Sequence, residues 1–126
     1  ERGGVVGEVV RYFVRKAAEL REAGVGDWML DPGFGFAKTP TQNFELLGRM
    51  GELAVFGVPI LVGLSRKSLI WRTLGTGPEE ALNGTSVLNW EALRRGASVL
   101  RVHDVREAVE TVRLFRAYCA AGRQGL

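Results

Sequence analysis

Residues 28–38 read Trp-Met-Leu-Asp-Pro-Gly-Phe-Gly-Phe-Ala-Lys, and this stretch decides how the chain folds. A short apolar run stops at Asp31, and the proline and glycines that follow cannot continue a strand. Asp31 is therefore predicted to lie where a buried strand reaches the surface, with Phe34 and Phe36 on the next loop. A carboxylate under an aromatic ring suits a flat, nitrogen-rich heterocycle, because it accepts a pair of hydrogen bonds. The alternative for an isolated Asp-Pro-Gly is an ordinary surface turn.

Two later stretches repeat this pattern. Residues 60–68 read Ile-Leu-Val-Gly-Leu-Ser-Arg-Lys-Ser, and residues 98–104 read Ser-Val-Leu-Arg-Val-His-Asp. Each is an apolar run that ends in charged or hydroxyl side chains, and a helical pattern follows each. Strands that deliver polar groups at their C-terminal ends, each followed by a helix, indicate a parallel α/β architecture with a site at those ends.

Apolar residues at helical spacing predict the helices between these strands. The predicted helices cover Val5 to Ala23, Thr41 (as N-cap) to the residue before Gly57, Leu69 to Leu74, Glu79 to Arg95, and the segment after Asp104, which forms a capping box with Glu107. A closed barrel needs eight strands and about 250 residues. The chain is therefore predicted to be the C-terminal half of a (β/α)₈ TIM barrel, with three parallel strands and about four long helices.

Length and composition place the chain among globular proteins. With 126 residues, 46% hydrophobic and 25% charged, it has room for one domain, residues 1–126. No apolar run approaches the roughly 20 residues of a membrane span, so no membrane partner is expected. The single cysteine, Cys119, fits a reducing compartment, and we expect a cytoplasmic protein. The net charge of +3 is scattered along the chain, which argues against a nucleic-acid partner.

The second strand end carries an expected anion site. Gly63 has no side chain, so a ligand can lie against the backbone there. Residues 65–68 are predicted to begin a helix, whose free amides and positive dipole favour a carboxylate or phosphate near Ser68. Lys67 can reach inward to a carbonyl or ring nitrogen, or outward to the anion. The alternative is that Arg66 and Lys67 are two solvated surface cations.

The third strand end carries Arg101 and His103. Two residues apart on a strand, their side chains point to the same side. A guanidinium and an imidazole that converge on one spot suit a diphosphate. The alternative for the one histidine of the sequence is a buried structural residue. No cluster of His, Cys or Asp has metal-ligand spacing, so no metal ligand is expected in this part. A hydrolytic triad of Ser65, Ser68 and His103 is unconvincing, because no nucleophile elbow is present.

Together the three stretches resemble the signatures of dihydropteroate synthase, in the same order and at similar spacing. The resemblance extends from about Val5 to Arg116, and it implies the sixth to eighth strands of a (β/α)₈ barrel, with the helix that precedes the sixth. Ala37 stands where the family commonly has glycine.

The resemblance also implies roles for single residues. Asp31 matches the aspartate that binds the pyrimidine edge of the pterin, and Phe36 matches an aromatic packed beside the ligands. Lys67 matches the lysine that contacts the pterin carbonyl and ring nitrogen, and Gly63 borders the pocket. A final match is Ser68, at the position that receives the carboxylate of p-aminobenzoate.

At the third strand, Arg101 and His103 match the pair that grips the diphosphate. The implied catalytic residues are thus Lys67, Arg101 and His103.

The family, a sulfonamide target, joins dihydropterin diphosphate to p-aminobenzoate and releases diphosphate, with Mg²⁺ assisting. The family's first two mobile loops, its magnesium-ligating asparagine and further pterin contacts have no counterpart in this sequence. We therefore expect a chain of this length to be inactive by itself, and we expect a homodimer through the barrel helices.

Two alternatives stay open at this point. A pterin-dependent methyltransferase shares the barrel, but a methyl transfer releases no diphosphate for Arg101 and His103 to bind. A non-catalytic half-barrel is the other alternative, with Leu88, Trp90 and Leu93 on helical faces that serve as an interface.

Overall fold

The computed structural model describes residues 4–36 and 38–125, so Ala37 lies outside the described residues. The described elements are, in chain order, α1 (Gly4–Glu22), α2 (Pro40–Gly48), a 3₁₀ helix (Met50–Phe56), β1 (Leu61–Val62), α3 (Ser68–Leu74), a 3₁₀ turn (Pro78–Glu80), α4 (Leu82–Arg94), β2 (Val99–Leu100) and α5 (Val105–Gly125). None of the helices described is both long enough and apolar enough to cross a membrane.

The strands are parallel and lie side by side in chain order. Leu61 and Val62 of β1 pair with Val99 and Leu100 of β2. On the other side of β1, the predicted first strand is reduced to a single parallel bridge between Leu30 and Ile60. Two prolines account for this shortness, because neither the proline after Asp31 nor the one before Ile60 has an N–H to donate to a ladder.

The core lies between this short sheet and the helices. Its buried apolar residues come from α1 to α4, the 3₁₀ helix, β1 and the loops between them: Val5, Val6, Leu30, Phe34, Leu46, Leu47, Met50, Leu53, Ile60, Val62, Leu64, Leu69, Ile70, Ala81 and Ala92. α4 packs against α5 through Trp90, whose ring centroid lies 5.1 Å from that of Phe115. Trp90 therefore has a partner within the chain.

Helix boundaries differ from the sequence prediction at two places between residues 39 and 57. Thr39, not Thr41, is the N-cap of α2, and it forms a capping box with Gln42 around a proline at the first helical position. The helix predicted to run to residue 56 ends at Gly48 and continues as a 3₁₀ helix. Glycines at positions 48 and 51 weaken an α-helix there, and Gly57 ends the segment with a φ of 65°.

The start of α4 and the role of the Asp104 side chain also differ from the sequence prediction, although α5 begins directly after Asp104 as predicted. The helix expected over residues 79–95 begins as a 3₁₀ turn, and α4 itself starts at Leu82. Asp104 was expected to cap α5 with its side chain. Instead both of its carboxylate oxygens accept hydrogen bonds from Arg66. The planar guanidinium of an arginine donates two parallel charge-assisted hydrogen bonds to one carboxylate, which fixes the geometry as well as adding energy.

Candidate active site

The first strand end holds Asp31 in a tight turn. One carboxylate oxygen, Oδ1, accepts from the backbone N–H of Gly33 at 2.9 Å. The other, Oδ2, lies 3.5 Å from Nη1 of Arg101. Asp31 is therefore oriented by its own loop and faces the end of β2, 70 residues further along the chain.

The loop after Asp31 separates its two phenylalanines. Phe34 is fully buried in the core, whereas Phe36 is 68% exposed. The ammonium of Lys38 donates to the carbonyls of Gly33 and Phe36 at 2.8 and 3.1 Å, and burial lowers its pKa. These contacts hold the loop closed, and they leave Phe36 as the aromatic available to a ligand.

Lys67 reaches from the end of β1 to this loop. Its Nζ donates to the carbonyl of Phe34 at 2.5 Å and lies 5.3 Å from the centroid of the Phe36 ring. Burial, followed by the nearby charge of Arg101, lowers the pKa of Lys67. An ammonium has three donors, so Lys67 retains donors for a ligand that lies against Phe36.

Ser68 is the first residue of α3, one residue before the helix predicted over residues 69–74. The sequence predicted a helix start over residues 65–68, but Arg66 has a φ of 54° and the helix begins only at Ser68. A left-handed residue cannot be part of a right-handed helix. Ser68 lines a cavity of about 190 Å³ with Lys67, Phe34 and Phe36.

Gly63, directly after β1, leaves space for the guanidinium of Arg101. A Cβ at Gly63 would lie 2.6 Å from Nη2 of Arg101 and 3.1 Å from its Cζ. Only glycine therefore leaves room for the guanidinium where it lies, between β1's end and Asp31.

His103 is held by a hydroxyl that sequence reasoning did not assign to this role. Oγ of Ser65 lies 2.7 Å from Nδ1 of the imidazole and accepts from the backbone N–H of His103 at 3.2 Å. When the hydroxyl donates to Nδ1, the imidazole carries its proton on Nε2. The neighbouring Asp104 pairs with Arg66, so it does not complete a triad.

The predicted site residues come together from three strand ends. A cleft of about 110 Å³ is lined by Gly63, Ser65, Lys67, Arg101, Val102 and His103. Asp31 adjoins this cleft through Arg101, and Phe36 adjoins it through Lys67. In residues 4–36 and 38–125, the His, Cys, Asp and Glu side chains form no group of three that could hold a metal ion.

Sequence reasoning missed three supporting residues, namely Ser65, Lys38 and Asn43. The Asn43 side chain accepts from the N–H of Gly35 at 2.9 Å and donates to the carbonyl of Thr39 at 3.1 Å. Asn43 is a buried polar residue inside an apolar helical stripe. Such a position was the one available sign that this asparagine supports a loop.

Comparison with known proteins gives the family. The sequence matches the family described as "Pterin binding enzyme" over residues 1–103. It is 44% identical over 119 residues to the dihydropteroate synthase of Escherichia coli K12, an alignment that covers 93% of this chain and 42% of that protein. The chain thus spans less than half the length of this relative.

Solved structures of dihydropteroate synthases resemble this chain in both fold and sequence. A dihydropteroate synthase from Xanthomonas albilineans, in complex with 7,8-dihydropteroate, superposes with a TM-score of 0.90 at 37% identity, covering 95% of this chain and 48% of that one. The Thermus thermophilus enzyme, in complex with 6HMPPP, superposes with a TM-score of 0.86 at 38% identity, covering 93% and 47%. The predicted resemblance and the partial TIM barrel are both confirmed. The chain belongs to the pterin-binding enzyme family.

Proposed function

We propose that this chain forms the C-terminal part of the active site of a dihydropteroate synthase, within a single domain that includes residues 1–126. The observation that carries the proposal is the position of Arg101. Its guanidinium lies 3.5 Å from Asp31 and against the backbone of Gly63. It therefore joins the proposed pterin site to the proposed diphosphate site. The dihydropteroate and 6HMPPP complexes of the relatives support this choice of substrates.

In this proposal the pterin lies between Asp31 and Lys67. The carboxylate accepts hydrogen bonds from the pyrimidine edge, and the ammonium donates to the carbonyl and ring nitrogen. Lys67 now donates to the carbonyl of Phe34 and lies beside the Phe36 ring. A flat ring that binds there would be covered by Phe36. It would contact the ammonium of Lys67, which the Phe34 carbonyl and the Phe36 ring already hold in place.

Arg101 and His103 would bind the diphosphate, and Ser68 the carboxylate of p-aminobenzoate. The diphosphate leaves the pterin methylene carbon as an anion, and fixed cations stabilise the charge as it develops. The amine of p-aminobenzoate then attacks that carbon, and the N–H proton that the amine loses passes to the solvent or to the released diphosphate. Catalysis in this scheme is positioning and electrostatics, without a protein nucleophile.

Mg²⁺ is proposed for the complete enzyme, where it would neutralise diphosphate charge. The described residues of this chain offer no group of three carboxylate, imidazole or thiolate side chains to hold it. We propose that its ligand lies in the part of the enzyme that this chain does not span.

Calorimetric titration of the chain with a dihydropterin and with inorganic diphosphate tests the proposal. Heat of binding with both ligands is the expected result. Heat with the pterin alone would favour a methyltransferase, and heat with neither would favour a non-catalytic half-barrel. The last two outcomes contradict the proposed function.

Lys67→Ala is expected to weaken dihydropterin binding by about 1.5–3 kcal/mol, the value for a hydrogen bond that involves a charged group. The measurement is the dissociation constant from the same titration. Lys16→Ala is the control, because it removes an ammonium that pairs with Glu19 on the exposed surface of α1. An unchanged pterin affinity in Lys67→Ala would remove this lysine from the site.

A homodimer through the outer helices and a cytoplasmic location also remain proposals. Apolar side chains on α4 and α5 are exposed, among them Val87, Val109, Leu114 and Tyr118. We propose that these side chains contribute to the dimer interface. Sedimentation velocity over a range of concentrations should show a dimer, and a monomer at every concentration would contradict this proposal.

A further inference from the structure

Arg66 makes all its polar contacts within the protein. Its Nε and Nη2 donate to Oδ2 and Oδ1 of Asp104 at 2.9 and 3.1 Å, and Nη1 donates to the carbonyl of Pro78 at 2.7 Å. Its backbone N–H donates to Oγ1 of Thr85 at 3.0 Å, and its carbonyl accepts from the indole N–H of Trp71 at 3.1 Å. Arg66 is therefore engaged by other groups of the protein through all three nitrogens of its guanidinium.

The backbone of Arg66 is also unusual. Among the described residues other than glycine, it is the one with a positive φ, 54°. This conformation is unfavourable for a residue with a Cβ, and it persists only where the surrounding contacts hold it. The resulting sharp turn directs Ser65 toward His103 on one side and Lys67 toward Phe34 on the other.

Asp104, the ion-pair partner of Arg66, directly follows His103 in the sequence. The bridge between Arg66 and Asp104 joins residues 38 positions apart, and their side chains are only 23% and 24% exposed. The bidentate contact from Arg66 lowers the pKa of the Asp104 carboxyl. The pair is thus ionised and fixed in geometry at neutral pH, and it ties the end of β1 to the end of β2.

We propose that Arg66 and Asp104 are positioning residues. Their ion pair holds Lys67 and His103 at a fixed separation, so that the pterin and the diphosphate bind at the correct distance from each other. Neither residue touches the ligands in this inference. It rests on the proposed function, because the groups it positions are the proposed ligands of the substrates. The bidentate pair of Arg49 with Glu52 on the surface joins residues only three positions apart, and neither residue lines the cleft.

Asp104→Asn separates positioning from simple electrostatics. Removing a negative charge beside a diphosphate site should strengthen anion binding if only charge matters. If the bridge positions His103, the same substitution should weaken the affinity for inorganic diphosphate, by about tenfold for the loss of one charge-assisted contact. Glu52→Gln is the matched control, with the same charge change in the Arg49 pair, and it should leave the affinity unchanged. Equal or tighter binding in Asp104→Asn would overturn the inference.

Arg66→Lys keeps the charge but loses the bidentate geometry. It should weaken diphosphate binding about as much as Asp104→Asn, and the double variant should be little worse than either single variant, because all three lose the same bridge. Additive losses in the double variant would contradict a shared role. If Asp104→Asn fails to fold, the diphosphate affinity of Arg66→Lys is compared with that of Arg49→Lys. Equal affinities in these two variants would overturn the inference.

A second measurement needs no ligand. The sequence has one histidine, so its imidazole gives a single set of NMR signals. In Arg66→Lys these signals should shift and broaden, because Lys cannot hold Asp104 in place, whereas Arg49→Lys should leave them unchanged. Unchanged signals in Arg66→Lys would overturn the inference. If the unmodified chain does not bind diphosphate, the proposed function fails, and the imidazole signals alone then decide whether the bridge positions His103.

Discussion

Phe34→Ala should lower the free energy of unfolding by about 3–5 kcal/mol, the usual cost of truncating a fully buried phenylalanine. Phe34 has no exposed surface, and it packs in the core beneath the loop that follows the first strand. Urea unfolding followed by circular dichroism measures the change. A loss of this size is comparable with the whole stability of many domains, so partial unfolding at room temperature would be consistent with the prediction.

Phe36→Ala is the matched control for this experiment. The two phenylalanines lie two residues apart in the same loop, but the Phe36 ring is 68% exposed. Its truncation should change the free energy of unfolding by less than about 0.5 kcal/mol, as for other surface substitutions. Equal effects of the two substitutions would show that the two rings do not differ in burial.

Arg101→Ala is expected to weaken inorganic diphosphate binding roughly 100-fold, about 2.7 kcal/mol, because a guanidinium makes two charge-assisted hydrogen bonds to such an anion. Calorimetric titration gives the dissociation constant. Arg106→Ala is the control, since it removes the same charge from a side chain that is 81% exposed and pairs with Glu107. If the affinities for diphosphate and p-aminobenzoate fell equally in Arg101→Ala, the proposed division of roles would be wrong.

Gly63→Ala offers a second route to the same result. The added methyl group would lie 2.6 Å from Nη2 of Arg101, so the guanidinium must move. The moving group is the half-exposed end of a flexible side chain. We therefore expect a small change in stability together with a large loss of diphosphate affinity. Diphosphate affinity equal to that of the unmodified chain would show that the position of Arg101 at Gly63 is unimportant.

Much of the fold was predictable because its signals are local. Proline and glycine after Asp31 end a strand wherever they occur, and the apolar spacing of α1 indicates a helix without reference to any other part of the chain. The helix boundaries were less predictable. Thr39 and Thr41 are both acceptable N-caps, and the choice of Thr39 depends on the reciprocal bond from Gln42.

The sequence alone determined the order of the three strand ends, the chemical groups that each delivers, and the family that these groups resemble. It could not determine which of Phe34 and Phe36 is buried, because a loop has no fixed periodicity that assigns one side to the core. Nor could it show that Arg66 pairs with Asp104 rather than with an anion. That choice depends on two chain segments 38 residues apart that meet only when β1 pairs with β2. Spacing along the chain specifies the groups of the site, but their distances in space arise only from tertiary packing.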